Sequence, residues 1–244
     1  MQPAQMYDSA ATMFSPDGRI YQVEYAREAV KRGTTAVGIV YNAGAVLLVD
    51  KRISSKLIEA AAVEKIFKID RHIGCASSGL VGDARMLVAR ARAVSANNRV
   101  TYAESIEVNV LVKDLSDIMQ AYTQNGGVRP FGAAFLIAGV DPDGTVRLFE
   151  TDPSGAVVQY KASAIGVGRA AALEFLENEY RLPMDQDHAI KLGLKALYRQ
   201  QDSASQPVVG GEPTVDISVV SVKDGYRQLT PDEVKRHLQA SQQA

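Results

Sequence analysis

The sequence predicts an α+β fold in which antiparallel sheets and their helices are segregated along the chain. Three observations predict it. Segments with strand character come in short-connected groups, segments with helical period come in adjacent pairs between those groups, and glycine-ended turns separate neighbouring strands. Strands and helices do not alternate singly, which disfavours a parallel doubly wound sheet.

The elements follow in order. Residues 1–12 are small or polar without period, and they fray unless something holds them. "SPDGR" gives a turn, and "IYQVEYAREAVKR" places Ile20, Val23, Arg27 and Val30 along one helical face. Lys31 and Arg32 suit the last turn of that helix, and Gly33 its termination. From Thr34 the period becomes that of strands, at 34–40, 45–50, 65–69 and 73–77. Helices are predicted over 80–97 and 103–124. Strands return at 131–141, 145–151, 156–161 and 162–166, with "DPDG" and "DPSG" as turns. A second helical pair is predicted over 169–181 and 185–199, then strands at 214–220 and 226–229. Thr230, Pro231 and Glu233 open a last helix as a capping box with proline in the first turn. No linker, repeat or low-complexity tract is found. One domain is expected, residues 34–244, behind an N-terminal extension and helix, residues 1–33.

Composition narrows the function classes. With 46% hydrophobic and 23% charged residues in 244, the chain reads as globular with a substantial core. A net charge of -1 gives no electrostatic case for nucleic acid or anionic membrane. The single cysteine, Cys75 in "HIGCAS", reads as core in a reducing compartment. No apolar run is long enough to span a bilayer, and "MQPAQMYDSAAT" lacks the order of a secretory signal. A cytoplasmic protein is expected.

The histidines, His72, His188 and His237, have no metal-ligand spacing, so no metal is expected. "AIGVGRAAALEFL" is a loose relative of a dinucleotide fingerprint, but a helix follows its helix and the bland reading is a tight strand-to-helix junction. Lys65 shares strand parity with Phe67 and Ile69, the more apolar face. A desolvated ammonium is costly alone, so Lys65 either pairs with a nearby carboxylate or lines a pocket that waits for an anion. "KRGTTAVGIV" resembles the announcement of a catalytic threonine. Yet the Thr34 hydroxyl needs a base, in this class the chain's own terminal amine, and within a continuous chain that nitrogen is an amide. Catalysis would require removal of residues 1–33.

"FSPDGRIYQVEYAREAV", then "GTTAVGI", "DKR", "EKI", "SGLVGDAR", "GGVRPFG" and "GVD", strongly resemble the α-subunits of the proteasome core particle, archaeal type. The likeness covers nearly the whole chain. It implies a four-layer αββα sandwich of two antiparallel sheets, the N-terminal nucleophile hydrolase fold. It implies a non-catalytic subunit of a homo-heptameric ring stacked on proteolytic β-subunits, with no cofactor, where residues 1–12 gate the passage of unfolded protein substrates. Lys65 matches the lysine that pairs with the C-terminal carboxylate of an activator AAA ATPase, and Arg27, Gly79 and Leu80 match other parts of that pocket. Tyr7, Asp8, Pro16 and Tyr25 match the family's gate cluster. The motif departs from the family at Ser9, where arginine is usual, and at Asn125, where an aromatic residue is common. The alternative is a catalytic β-type threonine peptidase processed before Thr34, with Lys65 assisting and Asp202 and Ser205 mimicking its supporting pair.

Overall fold

Two five-stranded antiparallel sheets stack face to face, each covered on its outer side by helices. A computed structural model describes residues 12–53, 57–59, 62–199, 208–209 and 212–242. The first sheet contains β1 (Ala36–Tyr41), β2 (Gly44–Asp50), β8 (Ala162–Ile165), β11 (Val215–Ser221) and β12 (Gly225–Gln228), in the order β12-β11-β2-β1-β8. The second runs β3 (Ile66–Asp70), β4 (Ile73–Gly79), β5 (Ala133–Val140), β6 (Val146–Thr151) and β7 (Val157–Gln159) in chain order. The helices are α1 (Tyr21–Lys31), α2 (Val81–Tyr102), α3 (Val108–Gln124), α4 (Arg169–Glu179), α5 (Gln186–Leu197) and α6 (Pro231–Gln242). A two-residue pairing joins β9 (Val208–Val209) and β10 (Glu212–Pro213).

The layers follow from side-chain parity. In β2, Val46 and Leu48 face α4, α5 and α6, whereas Ala45, Leu47 and Val49 face the other sheet. In β5, Phe135 and Ile137 pack under α2 and α3, and Leu136 and Ala138 fill the space between sheets. With both faces covered, these strands read as continuous apolar runs rather than alternating ones. The expected α+β sandwich of two antiparallel sheets is the observed one. Among the described residues no helix is long and apolar enough to cross a membrane.

Several expectations are corrected. The helix predicted from residue 80 runs on to Tyr102, and the next starts at Val108 rather than 103. Ala103 ends the first in the left-handed region (φ 57), a position usually marked by glycine or asparagine, so composition gave no stop signal. The start of α3 is set from afar, because Asp141 Oδ1 accepts the Val108 N–H at 2.8 Å. The strand expected at 156–161 is only Val157–Gln159; the chain then crosses to the other sheet as β8. On α1 the buried face is Val23, Ala26 and Val30, and Arg27 is exposed. Gly33 is not in the left-handed region, so it does not end α1 by conformation.

Both turn signals hold, with Gly144 N–H bonded to Asp141 O and Gly155 N–H to Asp152 O. The dinucleotide-like segment lies in β8 and α4; β8 is antiparallel to β1, so no parallel βαβ unit exists there. Cys75 is buried, and burial pushes its thiol up to about 12.

Candidate functional site

The chemistry-bearing residues gather where α1 meets the ends of β1, β4, β5 and β6. Thr34 links α1 to β1 within an uninterrupted chain. Its Oγ1 is buried with no hydrogen-bond partner among the described residues. Ser78 Oγ lies 2.9 Å from the Thr34 carbonyl and 3.1 Å from that of Val30, so one hydroxyl serves both sides of the junction. The Gly33 carbonyl accepts the Val167 N–H, and Thr35 Oγ1 accepts that of Gly168 at 2.9 Å. The "GVG" segment thus stitches the junction rather than cradling a phosphate.

Gly33 is required by close approach. A Cβ there would lie 2.2 Å from Ser78 Oγ and 2.3 Å from Gly79 N. Gly79 is required twice over. Its φ is +105, and a Cβ would lie 2.1 Å from the Gly132 carbonyl oxygen. That same oxygen accepts the Leu80 N–H at 2.8 Å, while the Leu80 side chain stands 47% exposed.

The loop that supplies Gly132 is clamped in turn. Asp83, in the first turn of α2, accepts the Gly132 N–H at 2.8 Å and takes both ends of the Arg129 guanidinium at 2.6 and 2.9 Å. Arg129 beside it holds the Asp83 carboxyl below the usual range. Asn125 closes the C-terminus of α3 through Nδ2 to the Ala121 carbonyl at 2.8 Å. The departure at Asn125 has a structural role of its own.

Lys65 is only 8% exposed. Its carbonyl accepts the Ser77 N–H at 3.0 Å, but its ammonium has no hydrogen bond or ion pair among the described residues. Burial alone pushes its pKa below the ordinary lysine value. Of the two sequence readings, pairing with a carboxylate is not seen. What stands there is a largely desolvated cation on β3's N-terminal side.

Arg27 pairs within the chain. Its Nε and Nη2 donate to Asp152 Oδ2 and Oδ1 at 2.9 and 3.0 Å. The Asp152 carboxylate, held below its usual pKa despite burial, also accepts from the Ser154 N–H and hydroxyl. Register across the second sheet aligns Lys65, Ser77, Phe135 and Thr151. With strands about 4.8 Å apart, Lys65 and the Asp152 end of β6 are roughly 14 Å apart. Within one chain, Lys65, Gly79 and Leu80 therefore sit at the β3–β4 end, and the Arg27 guanidinium is held three strands away.

The residues expected at a gate divide similarly. Pro16 lies in an exposed reverse turn closed by Gly18 N–H to Ser15 O at 2.9 Å, just ahead of α1. Tyr25 projects from α1, 50% exposed. Tyr7 and Asp8, with Ser9, lie outside the described residues, as do Asp202 and Ser205.

Sequence reasoning missed Ser78, Asp83, Arg129, Gly132 and Asp152 as parts of this region. Their partners are 44 to 125 residues away. Only the quoted "SGLVGDAR", "GGVRPFG" and "DPSG" segments marked them at all.

A family model described as proteasome subunit matches residues 30–210, and a second, the N-terminal signature of A-type proteasome subunits, matches residues 7–29. Three similar proteins are each named as the alpha subunit of a proteasome. That of Methanosarcina barkeri is 57% identical over 240 residues, covering 98% of this chain and 94% of its own. That of Methanoculleus marisnigri is 57% identical over 241 residues, covering 98% of each. That of Methanothermobacter thermautotrophicus is 52% identical over 242 residues, covering 98% and 95%.

Proposed function

This chain belongs to the proteasome subunit family, in its archaeal α type, and we propose that it is a non-catalytic ring subunit of the proteasome core particle. Seven copies would form a homo-heptameric ring that templates assembly with proteolytic β-subunits. The ring gates the passage of unfolded proteins into the chamber and docks the C-termini of an activator AAA ATPase. It acts in the cytoplasm without cofactor.

The non-catalytic reading is supported by how α1 is built in. Val23, Ala26 and Val30 are buried against the sandwich, and Gly33 fits against β4 without room for a methyl group. Residues 21–33 are packed on the body rather than forming an appendage ahead of Thr34. With that segment retained, the Thr34 nitrogen is an amide with no basic lone pair to activate its hydroxyl.

Lys65 carries the docking reading. An ammonium buried without a counter-ion costs folding free energy that a bound carboxylate would offset. Leu80 nearby presents an exposed apolar side chain that suits the last residues of an extended C-terminus, and Gly79 is proposed to shape that site through its positive-φ backbone. Asp8, Tyr7, Pro16 and Tyr25 are proposed as gate residues, with residues 1–12 as the plug. In the assembled particle, Lys65→Ala should lower ATPase-stimulated degradation of an unfolded protein at least about tenfold, as loss of one partner of a buried charge pair does. Ring assembly and unstimulated peptide hydrolysis should persist. Stimulation that survives intact would remove Lys65 from the docking site.

A further inference from the structure

We propose that the groove between α4 and α5 docks an extended acidic peptide segment of a partner protein, one with apolar residues between its carboxylates. The groove encloses about 660 Å³. His188, Lys191, Lys195 and Arg199 line it, against a single carboxylate, Glu179. None of these four basic side chains has an ion pair among the described residues. The chain as a whole carries a net charge of -1, so this positive concentration is local.

The spacing fits a peptide. His188, Lys191 and Lys195 follow one another at three- and four-residue steps on one face of α5, and Arg199 comes in the turn that closes it. Lys191 and Lys195 are thus one helical turn apart, about 6 Å along the axis. Alternate side chains of an extended peptide recur on one side about every 6.6 Å, so carboxylates at alternate positions meet successive cations. The side chains between them face the α4 wall, where Phe175 lies. Phe175 and Tyr198 are partly buried on the core beneath, and the Arg199 guanidinium sits 4.7 Å from the Phe175 ring centre. That aromatic wall favours a peptide over a bare phosphate, which needs only charge. At the other end, His188 and Lys191 also border a neighbouring groove that carries Asp185, Asp187 and Glu233. Those carboxylates repel an anion, which sets the peptide toward Lys195 and Arg199.

The layer itself suits reversible contact. Among the described residues, α4, α5 and α6 leave no large apolar side chain exposed, whereas α2 and α3 expose Val81, Met86, Val100, Tyr102 and Val110. The two helical layers lie on opposite sides of the sandwich, and only the α2–α3 layer has the apolar surface of a permanent interface.

The test reads fluorescence anisotropy of a labelled peptide of alternating glutamate and leucine, with the purified protein and with the assembled α/β particle. Saturable binding is expected with both. Lys195→Gln with Arg199→Gln should weaken it about tenfold, two exposed charge contacts being lost. Arg85→Gln with Lys113→Gln, on the opposite layer, should leave it unchanged. Replacing glutamate by glutamine in the peptide, or raising salt from 0.1 to 1 M so that screening contracts from about 10 to about 3 Å, should also weaken binding. Equal effects of the two variant pairs, or none, would remove the groove as the site. Displacement by tripolyphosphate as effective as by unlabelled peptide would reduce it to an unselective anion site and overturn the peptide assignment. Binding to the free protein but not to the particle would show that assembly covers the groove, which also overturns the proposal.

Discussion

A single hydrogen-for-methyl exchange at Gly33 separates two accounts of the "GTT" stretch. A segment destined for removal would need no packing against the body at this glycine. Here an added Cβ would overlap a backbone nitrogen, that of Gly79, which cannot swing aside. Gly33→Ala should therefore destabilise the chain by about 1–3 kcal/mol in urea unfolding, the usual cost of overpacking. An unchanged midpoint would mean that α1 is not anchored at Gly33. Lys65 shows the opposite balance between sequence and structure. Its odd parity beside Phe67 and Ile69 is visible from residue order alone, because strands alternate faces strictly. Whether a carboxylate meets it is not visible there, since a partner can come from any strand end. Burial without one is a fact of the packed molecule.

At the scale of elements, helices with local signals are readable and helices with distant ones are not. The last helix opens on a reciprocal box, with Thr230 N–H to Glu233 Oε2 at 2.8 Å and Glu233 N–H to Thr230 Oγ1 at 3.4 Å. The Thr230 N–H first, then the Arg227 guanidinium, hold the Glu233 carboxyl down to about 2, from an ordinary 4.5. A carboxyl depressed on folding stabilises fully above its unfolded pKa and loses that contribution as pH falls toward the folded one. Glu233→Gln should thus cost about 0.5–1 kcal/mol near neutrality, a modest figure because the pair is solvent-exposed. The difference from wild type should shrink between pH 4.5 and about 2 in a urea titration series. A gap independent of pH would show that the carboxylate plays no part in the cap. By contrast, α3 is capped by Asp141 from 33 residues away, and no window along the chain contains that contact. That is why its start differs from the expected one.

At the scale of the whole molecule, several large apolar side chains stand exposed. Val81 and Met86 near the start of α2, and Val100 and Tyr102 at its end, are 44, 49, 86 and 67% exposed. Large exposed apolar side chains in such number suit contact with other chains. Purified protein should form rings with sevenfold symmetry in negative-stain images; a monomer in sedimentation at micromolar concentration would count against the ring. Periodicity, turn chemistry and the capping box determined the α+β class, most strand positions and the last helix, because each depends on residues within a few positions of one another. The N-terminal motif determined the family. The placement of β7 and β8 in different sheets, the wedge at Gly33, the clamp of Asp83 on Arg129 and the pairing of Arg27 with Asp152 were decided only by tertiary structure. These contacts join residues far apart in the chain, and a one-dimensional pattern carries no information about which distant surfaces will meet.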